Sequence, residues 1–167
     1  MKQADIFSEH VSSIEHAIKH HDVSGMKAVI ECTSLLADLY SLGLKLPSAA
    51  SEEVESKEPE EISEKEYAQV SAYASRLPFQ YYNEALEPLE LESQECGVGD
   101  IADDIRDIYS DVVSANRIFV KGNRASAIWH WNFTMRTHWG RHATSAMHVL
   151  QCYSAGKVAE WVSQQNA

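Results

Sequence analysis

At 167 residues and 18.7 kDa the chain has the length of one ordinary domain, enough to bury a core of its own. Apolar residues make up 44% of it, against only 7 Gly and 4 Pro, which excludes a disordered chain and leaves too few breaks for an all-β fold. The formal net charge of -11 excludes a generally cationic surface, so neither nucleic acid nor an anionic membrane is an expected partner.

Three cysteines, Cys32, Cys96 and Cys152, are odd in number and widely spaced. They read as reduced thiols of a cytoplasmic protein rather than as a disulfide frame or a zinc site. The opening MKQADIFSEH lacks the apolar core of a signal peptide, and no segment approaches the length of a membrane span.

Ile6, Phe7, Val11, Ile14 and Ile18 recur at helical spacing and predict a first amphipathic helix ending near His20-His21-Asp22. Ser24 is the candidate N-cap of a second, running to about Leu46 before Pro47. Met26, Val29, Ile30, Thr33, Ala37, Tyr40 and Leu44 share one of its faces, and Leu35, Leu39 and Leu42 lie on another. This pattern predicts a central helix buried most of the way round. Residues 48–61, SAASEEVESKEPEE, are Ser- and Glu-rich and read as an acidic surface linker. Ser63 and Glu66 fit a capping box that starts a short helix through Arg76.

Between Pro78 and Pro88, FQYYNEAL (79–86) reads as another short helix, and LEPLELESQECGVG (86–99) as acidic and irregular. From Asp100 the signal strengthens: Ile101, Ile105, Ile108, Val112, Ala115 and Phe119 step by three and four into one apolar stripe. Gly122-Asn123 is a turn. A long helix is expected from about Arg124 to Tyr153, and a short one after Gly156 carrying Val158, Trp161 and Val162. There is no internal repeat. The expected fold is therefore all-α: a single-domain antiparallel bundle of four main helices plus short ones, occupying residues 1–167.

The heptapeptide THWGRHA (137–143) sets His138 and His142 one helical turn apart around Trp139-Gly140. On a helix, Ile128, Trp131, Met135, Trp139, His142, Ala146, Val149 and Tyr153 share one face. His138 sits at its edge, His130, Arg141 and His148 lie opposite, and Trp129, Phe133 and Met147 form a second apolar strip. Gly140 in mid-helix costs about 1 kcal/mol against Ala, which suggests a close neighbour. In the preceding helix Asp104, Asp107 and Asp111 step by three and four beside the isoleucine stripe. Two imidazoles at i, i+4 facing carboxylates of a neighbouring helix are ligand types for zinc, iron or manganese. A carboxylate beside an inward histidine also fits a general acid–base pair. Structural roles compete with both: Asp100, Asp103 and Asp104 suit a helix's first turn, and Trp129, Trp131 and Trp139 suit a core. There is no H-E-x-x-H, Gly-rich phosphate loop, G-x-S-x-G or Cys–His nucleophile arrangement.

The order ADDIRDIYSD (102–111), AIWHWNF (127–133), HWGRHA (138–143) and AMHVL (146–150) resembles a bacterial domain-of-unknown-function family, number 5063. The likeness is strong over about residues 100–150 and weaker over the N-terminal helices and Tyr81–Pro88. It implies no particular activity. It does imply motif positions at Asp103, Asp104, Asp107, Tyr109, Trp129, Trp131, Trp139, Gly140 and His142, and allows other residues at position 138.

The favoured reading is a non-enzymatic helical module that binds a protein partner or self-associates. It would use exposed helix faces and the basic residues Arg117, Lys121, Arg124, Arg136 and Arg141, with no cofactor expected. The alternative is a small-molecule or divalent-metal site, catalytic or purely binding, between the 100–120 and 124–153 helices. Its candidate residues are Asp103, Asp104, Asp107, Tyr109, Trp129, Trp131, His138, Trp139 and His142, with His138, His142, Asp104 and Asp107 as metal ligands.

Overall fold

The computed structural model describes residues 2–48 and 59–165. In chain order the elements are α1 (Lys2–His20), α2 (Met26–Gly43), α3 (Glu64–Ala74), β1 (Tyr81–Ala85), β2 (Cys96–Asp100), α4 (Ile101–Val120), α5 (Arg124–Thr137) and α6 (Trp139–Gln165). The expected helical bundle is therefore what forms, with one small antiparallel hairpin attached.

The central helix is α4, which packs against α1, α3, α5 and α6. Its start is fixed by Asp100, whose carboxylate accepts the Ala102 N–H at 2.8 Å. All six residues of its predicted stripe, from Ile101 to Phe119, are buried. At roughly 1.5–3 kcal/mol per large apolar side chain, that stripe is the main driving force holding the bundle around α4. From α1, Phe7 enters the same core and meets the rings of Trp131 and Trp139 at 4.7 and 6.4 Å.

The second helix is less central than its sequence suggests. It buries Ala28, Val29, Cys32, Leu36 and Leu39, while Ile30 and Leu44 stand exposed. Gly25, not Ser24, occupies its N-cap, without a side-chain cap, and the Gly25 N–H donates to the Arg76 carbonyl at 3.1 Å. The α2 start is thus tied to the end of α3 instead of capped locally. The Ser63–Glu66 capping box forms as expected. Of the acidic stretch 48–61, residues 49–58 lie outside the described residues; Glu60, beyond them, pairs with Lys121.

Two further expectations are corrected. Phe79–Leu86 is not a helix: Tyr81–Ala85 is a strand paired antiparallel to Cys96–Asp100, with Tyr82 opposite Gly99. The reason is packing across the pair. The Tyr82 ring lies directly over Gly99, in space that a Cβ at position 99 would occupy. The predicted helix from Arg124 to Tyr153 is also interrupted. It ends at Thr137, His138 leaves helical geometry (φ -147°, ψ -86°), and α6 restarts at Trp139 and runs past Gly156 to Gln165 without a separate short helix. Gly140 permits this break, because a Cβ there would drive into the backbone carbonyl of Met135. Among the described residues, no helix is long and apolar enough to cross a membrane.

Candidate metal centre

The break between α5 and α6 is held by two tryptophans. The Trp139 indole N–H donates to the Trp131 carbonyl at 3.3 Å, and the Trp131 indole N–H donates to the Val112 carbonyl of α4 at 3.0 Å. Both rings are fully buried. This chain of contacts sets the start of α6 against α4, and with it the two histidines on either side of Trp139.

His142 reaches across to α4, its Nδ1 2.8 Å from Asp104 Oδ1. An ionised carboxylate only accepts hydrogen bonds, so Nδ1 carries the proton and Nε2 keeps its lone pair. The Tyr82 hydroxyl donates to the other Asp104 oxygen at 2.6 Å. His138 repeats the arrangement: its Nδ1 is 2.9 Å from Asp111 Oδ2. Both free nitrogens then face one carboxylate. Asp107 Oδ2 lies 3.5 Å from His142 Nε2 and 3.9 Å from His138 Nε2, and the three candidate ligand atoms lie within 4.8 Å of one another.

These separations can be compared with what a metal requires. Bonds of about 2.0–2.1 Å at tetrahedral angles put neighbouring ligand atoms about 3.3 Å apart. The set therefore has to contract, by about 0.2 Å at His142 and about 0.6 Å at His138 relative to Asp107, with the two imidazoles drawn together as well, to close around an ion. The His142 side chain is 23% exposed and that of His138 47%, so the open side of the cluster faces solvent.

The surrounding charges fit a cationic occupant. The hydrogen bond from His142 to Asp104 raises the His142 pKa, burial lowers it, and the charges of Asp104 and Asp107 raise it further. The net direction is upward. Burial pushes Asp111 above the ordinary carboxylate value, against the opposing pull of His138. Three carboxylates therefore stand around the two imidazoles, and at His142 they favour positive charge.

A family model described as a domain of unknown function, DUF5063, matches residues 2–155. The chain belongs to this family. A crystal structure of protein BF1032 from Bacteroides fragilis is similar, with a TM-score of 0.72 at 18% identity, over 92% of this chain and 95% of that one. At that identity the likeness concerns the fold alone. No curated protein matches the chain.

In this DUF5063 chain the structure gathers four of the nine sequence candidates, Asp104, Asp107, His138 and His142, and separates the rest. Asp103 pairs with Arg106 on the surface. Tyr109 is buried, and its hydroxyl has no hydrogen-bond partner among the described residues. Trp131 and Trp139 are core and act on the cluster only through the backbone they hold. Trp129 stacks on Phe133, ring centroids 5.0 Å apart, beside an open groove that includes Arg136. Of the basic residues grouped as a docking face, four are in ion pairs, Arg117 with Glu66, Lys121 with Glu60, Arg124 with Asp5 and Arg141 with Glu84. Asp111 and Tyr82 complete the cluster and were absent from the candidates. Asp111 was visible in the acidic stripe of α4, but Tyr82 carried no local signal.

Proposed function

We propose that this protein is a divalent transition-metal-binding helical module. Asp107, His138 and His142 are the ligands in this reading, and at least one coordination position is left to solvent or substrate. The observation that carries it is the convergence of two imidazole Nε2 atoms on one carboxylate, each imidazole having its Nδ1 committed to a separate aspartate. Outer carboxylates that fix the tautomer and orientation of ligating histidines are a recurrent feature of metal sites. Two nitrogens and one oxygen suit zinc, ferrous iron or neighbouring first-row ions. Magnesium and calcium call for oxygen ligands throughout. Asp104, a candidate ligand by sequence, takes the orienting role instead.

The test is titration of chelator-stripped protein with zinc by calorimetry and with cobalt by absorption spectroscopy. One equivalent should bind, raise the melting temperature and give the visible bands of low-symmetry cobalt. His142→Ala should abolish all three effects, and His138→Ala should weaken them. Absence of stoichiometric binding to the wild-type chain rejects the reading.

A further inference from the structure

We propose that the tip of the β-hairpin, residues 86–95, docks a protein partner that presents an apolar helix face flanked by lysine or arginine. Ten large apolar residues are exposed among the described residues, and three of them, Leu86, Leu89 and Leu91, fall at this tip, with Val98 and Tyr81 on the strands behind it. Leu89 and Leu91 are 94% and 96% exposed, which is near the limit for a folded chain. They are held out by hydrogen-bonded turns. The Leu86 N–H donates to the Glu95 carbonyl at 3.1 Å, the Glu90 N–H to Glu87 at 3.1 Å, and the Ser93 N–H to Glu90 at 2.9 Å. Clustered exposed apolar groups set on ordered backbone mark an interaction site.

The base of the hairpin is fastened to the bundle, so the tip is presented from a fixed platform. Tyr82 donates to Asp104, the Ser145 hydroxyl donates to Glu84 at 2.6 Å, and Gln80 donates to Asp100 at 3.1 Å. Beside the tip, Leu86 and Pro88 border an open groove shared with Thr144 and His148 of α6.

Charge selects the occupant. Between Arg76 and Arg106 the sequence has no lysine or arginine, and Glu87, Glu90, Glu92 and Glu95 surround the two leucines. Acidic rims steer cationic partners and repel nucleic acid and anionic membrane alike. A second copy is a poor fit, because each carries a net charge of -11 and Arg117, Lys121, Arg124 and Arg141 are engaged in ion pairs.

The experiment uses the full chain and a labelled amphipathic helical peptide of leucine and lysine, with a glutamate-for-lysine peptide as control, read by fluorescence anisotropy. The lysine peptide should bind and the glutamate peptide should not. Leu89→Ser with Leu91→Ser should raise Kd at least tenfold, and so should Glu90→Lys with Glu92→Lys. Both pairs are solvent-facing, so unchanged circular dichroism and melting temperature are expected. Equal binding to wild type and both double variants, or no binding of either peptide, overturns the proposal. A wild-type dimer in sedimentation that the leucine variant abolishes would also overturn it, since the occupant would then be a second copy. The difference between wild type and the two double variants should persist in chelator and in zinc alike, which separates this outcome from that of the metal site.

Discussion

His142 and Asp104 lie 2.8 Å apart across the boundary between α6 and α4, and the Asp104 side chain is nearly buried while His142 is partly open. The contact orders both groups, because Asp104 has a second donor in Tyr82 and His142 has its other nitrogen aimed at Asp107. Asp104→Asn keeps the shape but replaces a charged acceptor by an amide that can also donate. The imidazole then loses its fixed tautomer. Zinc affinity, measured by competition with a chromophoric chelator, should fall by about 10–100-fold with the helical content unchanged. An unchanged affinity would show that Asp104 does not orient the ligand.

Gly140 and Gly156 sit in the same helix and should respond oppositely to alanine. A Cβ at Gly140 meets the Met135 carbonyl, which cannot move without shifting the end of α5, whereas a Cβ at Gly156 meets nothing within 4 Å. Gly140→Ala should destabilise by about 1–3 kcal/mol in urea unfolding and should also weaken metal binding, since it displaces His138. Gly156→Ala should stabilise by up to about 1 kcal/mol. Equal effects at both positions would contradict the close approach at the helix break.

How far these features could be read in advance depended on the range of the interactions that make them. The α4 stripe is local: Ile101 to Phe119 step at helical spacing, and Asp100 caps the start, so sequence and structure agree residue for residue. The facing of His142 toward the aspartates follows from the same helical phases. The break at His138 was hidden because Met135, Trp139 and His142 keep one phase across it, and what forces it is the Trp139 indole reaching back to Trp131. That break turns His138 toward Asp111. The hairpin was hidden for a different reason. FQYYNEAL supports either a turn or two of helix or a short strand, and the choice is made by Gly99, far along the chain, which gives the Tyr82 ring its seat.

Glu66 gives the acid limb of stability a specific origin. Burial of its carboxyl opposes ionisation, but the Ser63 hydroxyl and backbone N–H and the Arg117 guanidinium together hold its pKa below the ordinary glutamate value. A depressed folded-state pKa contributes stability above the unfolded value of about 4.3 and loses it as pH falls through the folded value. Wild type should therefore exceed Glu66→Gln in stability at pH 7, and the gap should narrow below about pH 4.3. Urea midpoints measured from pH 7 to 3 provide the test, and a gap independent of pH would place the contribution elsewhere.

The hairpin and the metal cluster share one carboxylate, which makes Tyr82 the place to look for coupling. The Tyr82 hydroxyl is 2.6 Å from Asp104 Oδ2, while Asp104 Oδ1 receives His142. The ring itself stays over Gly99 whether or not the hydroxyl is present. Tyr82→Phe thus removes one hydrogen bond to a charged group, worth about 1.5–3 kcal/mol when buried and less at this half-exposed position. The strand amides of β1 and β2 should exchange faster, by up to about tenfold, while those of α4 stay protected. Zinc should slow strand exchange in wild type, because a metal-bound His142 holds Asp104 in place as the acceptor for Tyr82. The slowing should vanish in Tyr82→Phe and persist in Tyr81→Phe, whose ring points outward. Identical exchange in the two variants, with and without zinc, would show that the hairpin does not sense the cluster.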